Sequence, residues 1–297
     1  MQRGTLNLIL AAALLVLGAL AWFKPGSTEA PEGELAFPDV TAATLLRATN
    51  TVASNSWTLE RGAEARWTLT APVRLPADPA LVDALLEDLA EARAPARYPA
   101  SALDAKAVGL DAPSLLLEVD AARYAFGGTE PINYRRYVQH DDQVLLLNDL
   151  LYFRISQGWA NLADKRLLPR DSRIVKLELP GVTLSVDAAG KRSLAPDDPQ
   201  VSADALGALL DAWTLQSAME LQRLDPEVVA QATLRVTLAG QPQPIEFKVL
   251  PSQEGLRLAR ADLGVEYRFP ADARAALLEL ARSEPALPEP AAPALPD

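Results

Sequence analysis

Strand-length apolar segments follow one another along this chain through short turns, and only two helices with a long apolar stripe interrupt them, one in each half. In the first half, Trp57-Thr58-Leu59 and residues 65–70 alternate as strands do and are joined by the turn-prone Glu60-Arg61-Gly62, so they read as a hairpin. Asp78 then offers a cap and Pro79 a first helical residue. The helix that follows carries Leu81, Leu85 and Leu89 at steps of four, with Val82 and Leu86 beside them and Asp83, Glu87, Asp88 and Glu91 on the other side. Further strands read at residues 115–119, 123–126, 134–138 and 144–147, and Asn148-Asp149 caps a short apolar helix from Leu150.

The second half gives the same order with different residues. Residues 175–179 and 182–186 make a hairpin around Pro180-Gly181, a short strand falls near Ser193-Leu194, and a helix starts at Ser202 with Leu206, Leu209, Leu210 and Trp213 at i, i+3, i+4 and i+7. Strands at 233–238, 245–250, 256–259 and 265–269 precede a last helix at 272–281. Leu69 and Leu194, Leu85 and Leu209, and Asp149 and Asp272 stand 125, 124 and 123 residues apart, a nearly constant offset that suggests duplication. Strands that follow strands directly give antiparallel sheet, so the fold class is α+β rather than doubly wound. The expected order is an N-terminal transmembrane helix followed by two similar repeats of mainly antiparallel sheet with helices packed on one face. Their boundaries are 37–170 and 171–282.

The transmembrane expectation rests on residues 6–23, LNLILAAALLVLGALAWF, an uncharged run between Arg3 and Lys24. As a helix it reaches about 27 Å, close to the roughly 30 Å of a bilayer core. The Ala19-Leu20-Ala21 triplet also resembles a signal-peptidase site, but the run exceeds the usual h-region and Trp22-Phe23 suits an interfacial aromatic belt. The anchor reading is preferred. Arg3 before the run, and Glu29, Glu32 and Glu34 after it, place residues 1–5 in the cytoplasm and the bulk of the chain in the periplasm, beyond a bacterial inner membrane. Residues 24–36, rich in Pro, Gly and Glu, read as a flexible linker, and residues 283–297, with five prolines, as a disordered tail.

Chemistry is sparse. Absence of cysteine excludes disulfides and thiolate chemistry, and a formal net charge of −11 argues against nucleic acid as a partner. The single histidine, His140, precedes Asp141-Asp142, but three adjacent residues rarely aim at one metal, and an exposed hairpin turn explains their polarity. Gly127-Gly128 reads as a turn needing positive φ. Arg135-Arg136, flanked by Tyr134 and Tyr137, and the group Lys165, Arg166, Arg170, Arg173 and Lys176 are the local basic concentrations. The latter group could meet lipid headgroups or an acidic partner; otherwise its members are solvated charges and salt-bridge partners. No nucleophile elbow, Walker loop or dinucleotide fingerprint occurs. No catalytic, cofactor-binding or metal-binding residue is assigned, and no cofactor is expected.

Several phrases, in order, resemble the DUF4340 family of membrane-anchored bacterial proteins. They are Trp67-Thr68-Leu69-Thr70-Ala71-Pro72 with Ala77-Asp78, Gly109-Leu110-Asp111-Ala112-Pro113, Phe126-Gly127 leading to Tyr134-Arg135, and Asn161-Leu162-Ala163-Asp164-Lys165-Arg166-Leu167-Leu168-Pro169. Gly109 and Pro113 suit a tight turn that launches a strand, and Leu162, Leu167 and Leu168 a helical turn across a sheet edge, where Asp164 could pair with Lys165 or Arg166. The resemblance implies a module without known activity, some relatives being linked to gliding-motility-type ABC transporters. The expected function is therefore a membrane-anchored accessory or scaffolding protein of the cell envelope without intrinsic catalysis. Its expected partners are the lipid bilayer, through residues 6–23, and an envelope protein such as a transporter subunit. An envelope carbohydrate-active hydrolase using paired carboxylates, or a small-ligand binding module with a pocket between the repeats, are the alternatives.

Overall fold

The computed structural model describes residues 33–53 and 55–282. The transmembrane helix expected at residues 6–23 and the tail at 283–297 lie outside the described residues, within which no helix is long and apolar enough to cross a membrane. The first half runs β1 (Glu34–Leu35), β2 (Leu45–Asn50), β3 (Trp57–Arg61), β4 (Trp67–Ala71), β5 (Leu75–Pro76), helix α1 (Pro79–Glu91), β6 (Arg93–Ala94), β7 (Arg97–Pro99), β8 (Leu115–Val119), β9 (Ala122–Thr129), β10 (Arg135–His140), β11 (Gln143–Asn148) and helix α2 (Asp149–Ser156). The second runs β12 (Ile174–Leu179), β13 (Val182–Val186), β14 (Arg192–Ala195), helix α3 (Ala203–Leu215), β15 (Glu220–Arg223), β16 (Ala232–Leu238), β17 (Ile245–Leu250), β18 (Leu256–Arg260), β19 (Val265–Phe269) and helix α4 (Ala273–Leu278).

These strands make three antiparallel sheets, and the fold is a mostly-sheet α+β arrangement. β1 pairs with β6; nine strands follow the order β5-β4-β3-β2-β8-β9-β10-β11-β7; and eight follow β14-β13-β12-β16-β17-β18-β19-β15. Residues 34–36, expected in the linker, are held to the fold instead: Glu34 and Leu35 pair with Ala94 and Arg93, Ala36 N donates to Ala92 O, and Ala36 and Phe37 are buried.

Both helix starts follow their caps. Asp78 Oδ1 accepts from Ala80 N and Leu81 N, and Ser202 Oγ accepts from Ala205 N. The stripe that α1 buries is Val82, Leu85 and Leu89; Leu81 is largely exposed, because the apolar face is centred one position further along than steps of four from Leu81 suggest. In α3, Leu206, Leu209 and Trp213 are buried. These side chains join the inward residues of both large sheets in one continuous apolar core.

A second, smaller core lies on the other face of the first sheet. The connection from edge strand β7 to central strand β8 packs Val108 and Leu110 against Val144, with Ala125 and Tyr137 beside them. Gly127-Gly128 therefore sits inside β9 rather than in a turn, and its requirement is close approach, not positive φ. Gly128 N donates to Val108 O at 2.7 Å, and a Cβ on Gly127 would meet that oxygen at 2.6 Å. Gly127→Ala is expected to lose about 1–3 kcal/mol in urea denaturation, the usual penalty of overpacking. Gly62→Ala, whose Cβ would lie 3.7 Å from its nearest neighbour, should be close to neutral.

Candidate functional site

The phrase around Leu162–Leu168 forms the joint between the two large sheets. Asn161 closes a short 3-10 turn and Leu162 stays helical, its N–H bonded to Trp159 O, whereas Ala163 and Arg166 after it use their backbone groups laterally. On one side Ala163 bridges Ala77, Leu162 O accepts from Asp78 N, and Asp164 N donates to Pro76 O, so the strap extends the β5 edge of the first sheet. On the other side Arg166 bridges Ser217 and Lys165 O accepts from Ala218 N, just before the β15 edge of the second. Leu162, Ala163, Leu167 and Leu168 are buried, which fills the seam.

Arg170 clamps this joint. Its Nε lies 2.9 Å from Asp164 Oδ2 and its terminal nitrogen 3.1 Å from Asp78 Oδ2. Hydrogen bonding to Asp164, aided by the charges of Asp164 and Asp78, raises the guanidinium pKa. The expected partner of Asp164 was Lys165 or Arg166; in the structure Arg170 takes that place, since Lys165 Nζ turns to Met219 O and Arg166 offers Asp164 its backbone N–H. Lys176 pairs with Glu178. Three members of the basic group are thus engaged, and Asp78 and Asp164, two carboxylates brought to one place, are drawn together by an arginine.

Arg136 is largely buried: its Nε donates to Asp149 Oδ1 at 2.5 Å, another nitrogen to Gly127 O at 2.6 Å, and its guanidinium stacks 3.7 Å above the Tyr152 ring. It pins α2 to the sheet end, and Leu151 and Ile155 turn inward. Tyr134 stands before β10 at φ 54° rather than within its alternation, and is exposed. His140 stacks on Tyr124 with centroids 4.4 Å apart, its Nδ1 3.0 Å from Arg123 O. Among the described residues no group of three or more His, Asp or Glu is placed to hold a metal.

A cluster that sequence reasoning missed lies on the outward face of the second sheet. Glu266, only 2% exposed, receives two hydrogen bonds of 2.7 Å from Arg257 and one of 2.7 Å from Arg268. The signal was the alternation of β19, whose Val265, Tyr267 and Phe269 face the core and throw Glu266 and Arg268 to the other side. Beside it a groove of about 540 Å³ is lined by Gln231, Ser252, Glu254, Arg257 and Arg268. Two further grooves, of about 650 and 600 Å³, draw on residues 173–262. All three belong to the second sheet and its turns.

Fold and surface together define a mostly-sheet α+β protein of three sheets, whose polar clusters at Arg170, Arg136 and Glu266 act as structural clamps. The chain belongs to the DUF4340 family, a domain of unknown function, whose model matches residues 67–240, more than half of it. The match begins at β4 and ends just past β16, so it takes in the strap and parts of both large sheets. No curated protein and no solved structure matches the chain.

Proposed function

We propose that this protein is a membrane-anchored, extracytoplasmic accessory or scaffolding module of the bacterial cell envelope, working beside an ABC-type transporter complex and without catalysis of its own. The observation that carries the reading is the uncharged 18-residue run at 6–23, which precedes the folded residues 33–282 in the sequence. Its strap, clamp and charge clusters read as parts of a rigid scaffold. The transporter association follows from the resemblance to the family.

The finer architectural reading is one unit built twice. It is supported by the coincidence of strand order: β4-β3-β2-β8-β9-β10-β11-β7 and β14-β13-β12-β16-β17-β18-β19-β15 both place a three-stranded meander, an edge strand entered through a helix, and a four-stranded meander at corresponding positions. The test of function is co-purification of the full chain from membranes in mild detergent. A permease or ATPase subunit in stoichiometric amount is the expected result, and a lone monomer at every detergent concentration contradicts the association. Deleting residues 6–23 should move the folded body to the soluble fraction; retention in the membrane contradicts the anchor.

A further inference from the structure

The most exposed large apolar side chains of the first half gather at one end of its sheet. Ile132 and Tyr134, 80% and 74% exposed, lie in the turn before β10, and Leu150 and Phe153, 72% and 55% exposed, lie on the outer side of α2. Pairing of Arg135 with Asn148 brings the turn and the helix start together, and positions 150 and 153 share one helix face. Val52, 80% exposed, follows β2 at the same end, where Asn50 pairs with Leu115, Leu115 with Phe126, and Phe126 with Val138. These residues are not loose: Arg136 fixes α2 through Asp149 and Tyr152, and Arg154 pairs with Asp88 on α1. The helix is apolar on both its buried and its open side, which marks a contact surface.

What covers this surface follows from where the described chain begins. Gly33 lies against Ala94 and Pro95, and Arg93 donates to its carbonyl. Leu146 N donates to Ala96 O beside them, so Gly33 stands about 10–15 Å, two or three strand spacings, from the Tyr134–Leu150 corner. Only eight residues, 25–32, separate Gly33 from Lys24 at the end of the apolar run, a reach of at most about 32 Å. The end of the sheet that bears the apolar side chains is therefore the end held nearest the anchor. We infer that Val52, Ile132, Tyr134, Leu150 and Phe153 rest in the interfacial layer of the bilayer that holds residues 6–23, docking the first sheet end-on against the membrane. The inference rests on the anchor reading above. Tyr and Phe beside Arg135 suit that layer, and a chain of net charge −11 makes the contact apolar rather than electrostatic.

The test uses the full chain, which has no cysteine, carrying Ile132→Cys labelled with an NBD fluorophore and reconstituted into phosphatidylcholine vesicles. Ala188→Cys, in the exposed turn between β13 and β14, is the reference. Lipid-borne spin-label quenchers should quench the probe at 132 about twofold or more over that at 188, and added salt should not reverse it. Leu150→Glu with Phe153→Glu should bring the two positions level. Protein that floats with the vesicles but shows equal quenching overturns the docking and leaves the anchor standing; a blue-shifted, unquenched probe assigns the surface to a protein partner or a second copy and overturns it as well. Failure to float overturns both.

Discussion

Trp213→Ala should lower the unfolding free energy by about 3–5 kcal/mol, the range for removing a fully buried aromatic side chain. Trp213 has no exposed surface, meets Phe247 of β17 edge-on at 5.2 Å between centroids, and donates its indole N–H to Leu277 O at 2.8 Å. One side chain therefore ties α3 to the second sheet and to the end of α4. Domains are held by only about 5–15 kcal/mol, so the loss takes a large share. Trp213→Phe should fall between, since it restores apolar volume but leaves the Leu277 carbonyl without its donor, at about 1–3 kcal/mol. Urea denaturation of the body lacking residues 6–23 measures both; a Trp213→Ala loss under 1 kcal/mol would contradict the packing of α3 described above.

The second large effect lies on the opposite face. Glu266→Ala should lose about 2–4 kcal/mol at neutral pH, below the roughly 3–5 of a fully buried broken pair because Arg257 and Arg268 reach water at 24% and 40% side-chain exposure. Burial pushes the Glu266 carboxyl upward, but hydrogen bonds from Arg257 and Arg268 outweigh it and hold the group below its ordinary value. A carboxylate lowered on folding stabilises the folded chain fully above its unfolded pKa of about 4.3, and that contribution fades as pH falls through the lowered value. The gap between wild type and Glu266→Gln should thus be wide at pH 7 and shrink under acid. A gap that stays constant down to pH 2 would mean that the arginines do not stabilise the charged form.

Much of the fold was legible where local signals and packing agree. Asp78-Pro79 and Ser202 mark their helices because caps are local chemistry, and the β12–β13 turn reads from Pro180-Gly181 because Gly181 takes φ 80°. β2 escaped notice although it sits mid-sheet. Its inward residues are Leu46 and the small Ala48, and Leu45 blurs the alternation; its start is fixed by Asp120, 75 residues away, which accepts from Leu45 N. Edge strands β7 and β15 are short and polar, defined by partners rather than by pattern. The strap is a stronger case: the helical turn ends at Leu162, and nothing local shows that Ala163 and Arg166 beyond it bridge the edges of two sheets. Arg136 and Gly127 looked like surface charge and turn glycine because burial of a cation under Tyr152, and passage of residues 108–110 over β9, are tertiary facts.

The central claim, a folded body carried outside the cytoplasm by residues 6–23, is tested most directly by thiol accessibility in cells. Ala188→Cys gives the full chain a single cysteine in an exposed turn. Intact spheroplasts treated with a membrane-impermeant maleimide should label it to the same extent as lysed ones, with the protein in the membrane fraction. Labelling only after lysis, or full-length chain in the soluble fraction, would contradict the account.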